Sequence, residues 1–200
     1  MVTADFNPET LGRMARNLEF WQQKGYCFVS LPWVADSFYT EATRPAWGIA
    51  QPQLGRHGDL LASGEQAFLQ LAHQLQLPHG KRFIGWTPCF RNEPLFDARH
   101  HLYFLKTELF VLVNPEEASA VVNQLVQGSL AWMQKELELQ GADLSQLCAV
   151  AIPGSDLEWD IELNGVEVGS YGYRTHFGHN YVYGTACAEP RFSYALSQLK

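Results

Sequence analysis

Cysteine is scarce in this 200-residue chain: Cys27, Cys89, Cys148 and Cys187 stand far apart and form no CxxC pair. That spacing excludes a disulfide framework or a thiolate zinc site and points to a reduced, cytoplasmic setting. Positive charge is also in short supply, with 14 Lys and Arg against 21 Asp and Glu, for a net −7. A broad basic footprint for long nucleic acid is therefore excluded, because such binding neutralises phosphates with Lys and Arg. No apolar run approaches the roughly 18 residues that span a bilayer. Met1 to Pro8 has neither the basic nor the apolar part of a signal peptide, so no membrane partner is expected. The phosphate-loop signature GxxxxGKS/T, a strand followed by GxGxxG, and GxSxG are all absent. His176 and His179 have HxxH spacing in a Gly- and aromatic-rich turn, but two histidines hold a metal only with a third ligand aimed at the same point.

What is present is a foldable interior. Hydrophobic residues make up 46% of the chain and aromatics 13%, which excludes disorder and suffices for the core of one domain. Asn7-Pro8-Glu9 is a helix start, a capping side chain followed by Pro, and Leu11, Met14, Ala15, Leu18 and Trp21 follow at helical spacing until Gly25. Tyr26 to Leu31 reads as a strand limited by Pro32. From Trp33 to Asp59 the pattern is irregular and reads mostly as loop, a length more often functional than idle. Glu65 to Leu77 reads as a helix with Phe68, Leu71, Ala72 and Leu75 on one face.

Lys81 to Arg91 and Leu102 to Val113 read as strands joined by the turn-prone Asn92 to Arg99. Asn114-Pro115-Glu116-Glu117 opens a long helix with a reciprocal cap, and that helix ends at Gly141. Leu157 to Leu163 and Val166 to Tyr171 flank Asn164-Gly165, a strong hairpin signal. Tyr181 to Gly184 reads as one more strand and Glu189 to Leu199 as a last helix. Strand pairs joined by short turns imply an α+β fold, a mostly antiparallel β-sheet flanked by helices.

Phe90-Arg91-Asn92-Glu93 closes one strand, and the next begins near Arg99-His100 and carries Phe104 and Glu108. An arginine fixed on a strand presents a planar fork of donors suited to phosphate oxygens. A carboxylate two residues on points to the same side. Such a pair can hold a phosphate and a base amine while Phe104 stacks on a purine. It can equally be a plain cross-strand ion pair at a sheet rim.

This hairpin resembles motif 2 of the class II aminoacyl-tRNA synthetases, roughly FRxE, a loop, then RHxxEFxxxE. Here it stands as Phe90-Arg91-Asn92-Glu93, then Arg99-His100-His101-Leu102-Tyr103-Phe104, then Glu108. Lys24-Gly25-Tyr26, Val29 and Pro32-Trp33-Val34 are similar to motif 1. Ser63-Gly64-Glu65 resembles the TxE loop of the glycyl, seryl, prolyl, threonyl and histidyl subgroup. Gly184-Thr185-Ala186-Cys187-Ala188-Glu189-Pro190-Arg191 resembles motif 3, and Asn164 to Ser170 resembles the strand that lines the amino-acid pocket. Tyr103 departs from the pattern where an acid usually precedes Phe104. Ala186 replaces a motif 3 glycine, and Glu189 stands one position early.

The resemblance covers nearly the whole chain and implies one class II synthetase-like catalytic domain over residues 1–200, with no anticodon-binding domain. It implies an ATP-dependent ligase that activates a small amino acid to an aminoacyl-adenylate, with ATP and Mg²⁺. Arg91 would hold the α-phosphate and the substrate carboxylate, Arg191 the γ-phosphate or the upper face of adenine. Arg99 would join the nucleotide site, Glu93 would accept from the adenine amine, and Phe104 would stack beneath the ring. Glu108 and Glu167 are the Mg²⁺ candidates, Glu65 would bind the substrate ammonium, and Gly169 and Ser170 would shape the side-chain pocket together with Glu167. Gly25 and Pro32 would serve a homodimer interface. The acceptor stays open between tRNA and a carrier protein or small metabolite. A non-catalytic paralogue that binds nucleotide or amino acid as a regulatory subunit is the alternative.

Overall fold

The computed structural model describes residues 6–44, 51–91, 97 and 100–199. Asn7 caps α1 (Pro8–Gln23), its Oδ1 accepting from the backbone of Glu9 and Thr10 at 3.0 and 3.1 Å. Gly25 ends the turn that follows, at a φ of +87°. The strand expected over Tyr26 to Leu31 shrinks to β1 (Cys27–Phe28), an edge strand and parallel to its neighbour.

The stretch read as loop holds β2 (Val34–Ala35), α2 (Ser37–Ala42) and β3 (Asp59–Leu60). α2 is six residues long, and its start is set by Asp36, whose carboxylate accepts from Phe38 N. Too short for periodicity to register, it was hidden from a pattern search. α3 (Gly64–His73) stops earlier than expected: Leu75 adopts a φ of +58° and stands exposed, so it leaves the apolar face assigned to it.

β4 (Arg82–Phe90) and β5 (Tyr103–Leu112) form the expected antiparallel pair. A capping box at Asn114 and Glu117 leads into α4 (Ala118–Leu139). β6 (Leu147–Ala151) was not signalled by the sequence. β7 (Trp159–Leu163) and β8 (Val166–His176) turn through Asn164 and Gly165, both at positive φ. β9 (His179–Glu189) is far longer than Tyr181 to Gly184. It pairs with β8 through a second two-residue turn at Phe177-Gly178, also at positive φ. α5 (Arg191–Ser197) closes the described fold.

The main sheet runs β1-β4-β5-β9-β8-β7-β6, antiparallel except at β1/β4, so the α+β expectation matches the fold. Alternation along β5 separates its two faces. Leu105, Leu109 and Val111 enter the larger core with Trp21 of α1, Leu125 and Met133 of α4 and Phe192 of α5. Phe110 and Leu112 join a smaller core with Phe68 of α3 and Tyr39 of α2. α1 fits closely on α4 because Gly128 leaves a notch: a Cβ there would sit 2.5 Å from the Trp21 ring. Among the described residues no helix is long and apolar enough to cross a membrane.

Candidate active site

On the face that carries the smaller core, α3 covers only part of the sheet. The rest of β5, β9 and β8 floors a cleft of about 260 Å³ walled by the start of α3 and by Thr43, Arg44 and Gln51. Of the residues singled out in the sequence, Glu65, Arg91, Phe104, Glu108, Glu167, Ser170 and Arg191 line it together. Gly169 does not. Its missing Cβ would meet Tyr171 Oη at 2.8 Å and the Thr185 carbonyl at 3.1 Å, so this glycine lets β8 close on its neighbours rather than facing a ligand. Glu93 and Arg99 lie outside the described residues.

Three zones follow one another along the cleft. At one end Arg91 lies over the Phe104 ring at 5.1 Å, and Arg191 Nη1 meets Glu167 Oε1 at 3.3 Å. These two arginines come from the rim of β4 and the first turn of α5, 100 positions apart in the chain (191 − 91). Next to this zone Ser170 stands opposite Asp160, its register partner on β7. Burial raises the Asp160 carboxyl pKa and nearby Glu167 pushes it further up, with Ser170 opposing.

The middle zone is built on Glu108, which is buried and carries a full pairing on one oxygen only. Ser63 Oγ donates to its Oε1 at 2.6 Å, and Lys106, two residues back on the same strand face, forms an ion pair with the same atom. Oε2 is buried without a hydrogen-bond partner, against the backbone of Gly64, where a Cβ would come within 2.8 Å. Ser63 also caps α3, accepting from Glu65 N, so Glu108 sits at the helix N-terminus, where the backbone dipole favours an anion.

The far zone holds Glu65, and its carboxylate is already engaged. Arg174 Nη1 donates to both oxygens at 2.9 and 2.8 Å, and Tyr181 Oη donates to Oε1 at 2.8 Å. The substrate ammonium assigned to Glu65 by resemblance thus meets a position held by a protein cation. Arg174 also stacks on Tyr183 at 4.3 Å, and Tyr183 lies flat on Gly172, where a Cβ would strike its hydroxyl at 2.6 Å. Burial is the largest single influence and works against the Arg174 charge, but Glu65 together with Tyr183 and Tyr181 outweighs it and raises its pKa. Burial, then Glu65, raises the pKa of Tyr181, keeping it a neutral donor.

Sequence reading missed Lys106 and Arg174. Lys106 was within reach, since i and i+2 share a strand face. Arg174 follows Ser170 and Gly172 on one face of β8, a signal lost when that strand was ended at Tyr171. No cluster of three or more His, Cys, Asp or Glu suited to a metal exists among the described residues. Mg²⁺ takes one or two carboxylates and the rest from phosphates and water. The free Glu108 Oε2 and the half-exposed Glu167 fit an ion that arrives on phosphates rather than one caged by protein.

The same architecture occurs in solved synthetases. The seryl-tRNA synthetase from Pyrococcus horikoshii complexed with ATP is similar over 94% of this chain and 49% of its own, with a TM-score of 0.72 and 20% identity. The cytoplasmic serine-tRNA ligase from Naegleria fowleri in complex with AMP gives 0.71 and 18% over 94% and 47%. The pyrrolysyl-tRNA synthetase from Desulfitobacterium hafniense gives 0.71 and 15% over 96% and 71%. The chain spans about half the length of the two seryl enzymes. At these identities the likeness shows the fold, a class II synthetase-like core. No protein-family model and no curated protein matches the sequence.

Proposed function

We propose that the cleft binds ATP and activates the carboxyl group of an amino acid. The observation that carries this reading is the convergence of Arg91 and Arg191, with Phe104, on one end of one cleft. Residues 1–200 act as one catalytic unit. Arg91 steadies the α-phosphate and the incoming carboxylate, and Arg191 the distal phosphates. Phe104 and Glu93 take the adenine, and Arg99 joins the nucleotide site. A carboxylate oxygen of the amino acid attacks the α-phosphorus. The bond from that phosphorus to the bridging oxygen breaks, and pyrophosphate leaves with the electron pair.

No side chain becomes covalent; positioning and preorganised charge do the chemistry. Mg²⁺, when bound, supplies charge neutralisation at the phosphates, and Glu108 Oε2 and Glu167 would hold it. Val168 and Ser170 bound the middle of the pocket. Transfer goes to tRNA or a carrier protein thiol, and exposed Phe28 and Trp33 beside the edge strand β1 support a homodimer on that side.

The test is amino-acid-dependent exchange of labelled pyrophosphate into ATP, with Arg91→Ala as control. Exchange that Arg91→Ala abolishes supports the reading, and its absence with every standard amino acid overturns it. Aminoacyl-RNA formed with total tRNA would separate tRNA from other acceptors. A second reading, a non-catalytic subunit that binds nucleotide or amino acid, is favoured by one observation. Glu65 and Glu108 are both already neutralised, by Arg174 and Lys106. ATP binding without exchange is its signature.

A further inference from the structure

Arg174 is the cation that the proposed reaction leaves without a task. Its Nη1 serves Glu65, while among the described residues Nε and Nη2 make no hydrogen bond. The Arg174 side chain lines the cleft and is about a third exposed. Nε and Nη2 form the second, side-on edge of a planar group, a two-donor fork that matches a carboxylate or carbonyl oxygen.

Three features fix this fork. Glu65, itself buried, anchors one end of the guanidinium. Tyr181 donates to the same carboxylate and so holds Glu65 in place, above the ring stack that Tyr181 makes with Phe110 at 4.8 Å. Tyr183 supports the guanidinium face, in a space that only the absence of a side chain at Gly172 leaves open. An arginine so braced has little rotamer freedom left to lose on binding.

Its place in the cleft identifies what it meets. Ser170, Gly172 and Arg174 lie on one face of β8, and four residues of strand span about 13 Å. Arg174 is therefore at the opposite end from Arg191, Glu167 and Phe104, beyond the row of Glu108 and Ser170. With a nucleotide at the Arg91 end and the reacting carboxyl in the middle, the group that reaches Arg174 is the side chain of the amino acid.

We infer that Arg174 is a specificity-determining residue that selects an amino acid whose side chain ends in an sp² oxygen, a carboxylate or a carboxamide, and that Glu65 braces Arg174 instead of receiving the substrate ammonium. This rests on the amino-acid-activating reading for the orientation of the ligand. A side chain without such an oxygen leaves the fork desolvated and unpaired, which is the stronger half of the discrimination.

The experiment measures calorimetric binding of Asp, Glu, Asn, Gln, Ser, Ala and Leu to the full chain with a non-hydrolysable ATP analogue present, and pyrophosphate exchange with the same panel. The double variant Arg174→Met/Glu65→Gln avoids stranding a buried carboxylate, and Arg174→Lys keeps the charge but removes the fork. An amino acid of the first four should bind ~100-fold more tightly than Ala or Leu. The double variant should bring the panel within ~3-fold while the analogue itself binds as before, with Arg174→Lys in between.

Asp and Glu leading, or Asn and Gln leading, distinguishes carboxylate from carboxamide, and either supports the inference. Preference for Ser, Ala or Leu, a preference that survives the double variant, or no binding by any of the seven overturns it. Arg174-dependent binding without exchange defeats the activation reading alone. Exchange with a preference indifferent to Arg174 defeats this inference alone.

Discussion

Glu108 shows how a buried carboxyl group is paired in a cleft that also has to admit a ligand. Lys106 neutralises it and Ser63 donates to it, both on one oxygen, so the second oxygen is left buried and without a hydrogen-bond partner. Removing one member of a buried pair strands the other. Lys106→Met should therefore lower folding stability by about 3 kcal/mol, and Lys106→Met/Glu108→Gln should recover most of it. Urea unfolding of both variants checks this; equal losses would show that the pair carries no coupling. At this scale the sequence said much. Seven residues picked for phosphate, adenine, metal or amino acid occur in one cleft. It could not say which of them were already taken, because the partner of Glu65 stands 109 positions away and only the folded sheet brings Arg174 to it.

Elements differed in legibility for reasons that lie in their burial. α1 and α4 each bury one stripe, and their 3.6-residue period shows. β9 is buried on both faces over most of its length, so it lacks the alternation that marks a half-buried strand, and only its aromatic middle registered. β6 is a short, half-exposed edge whose five residues show no apolar–polar alternation. The tip of the β8–β9 hairpin falls in the Gly- and aromatic-rich turn read between His176 and His179, and it makes a testable contact. Phe177 stacks on Phe38 of α2 at 4.2 Å, beside Tyr39 and His73, while His179 faces His73 at 5.9 Å.

Partial burial, then His73 and His79, lowers the His179 pKa below its ordinary 6.5. A depressed folded-state pKa means the neutral ring is favoured in the fold. Its contribution is complete above 6.5 and is lost as the pH falls through the lowered value. Hydrogen exchange at residues 177–180, corrected for intrinsic rate, should accelerate between about pH 7 and pH 5. His179→Gln should flatten that dependence, and an unchanged slope would remove His179 as its source.

The described fold uses the two faces of its seven-stranded sheet differently. One face is sealed by α1, α4 and α5, and the other is half covered by α3 and half left as the cleft. The seal has to hold the two ends of the described chain together, and a buried cation does so. Arg13 of α1 is almost wholly enclosed and pairs with Glu189, 176 positions away at the end of β9. It also donates to Ser193 Oγ at 2.7 Å and to Glu9 at 3.0 Å, while Arg16 grips Glu136 of α4 through two nitrogens at 2.8 and 2.7 Å. Glu189 stands two residues before Arg191, so this cluster sets where α5 begins and hence where Arg191 enters the cleft.

Arg13→Met strands a carboxylate with no solvent access. It should cost about 3–5 kcal/mol in denaturant unfolding, with Arg13→Met/Glu189→Gln regaining more than half. Arg13 does not line the cleft, yet the double variant should still bind ATP several-fold more weakly than the wild type, because the start of α5 loses its anchor. Wild-type ATP affinity in a folded double variant would separate the seal from the site and leave Arg191 positioned by its own pairing with Glu167.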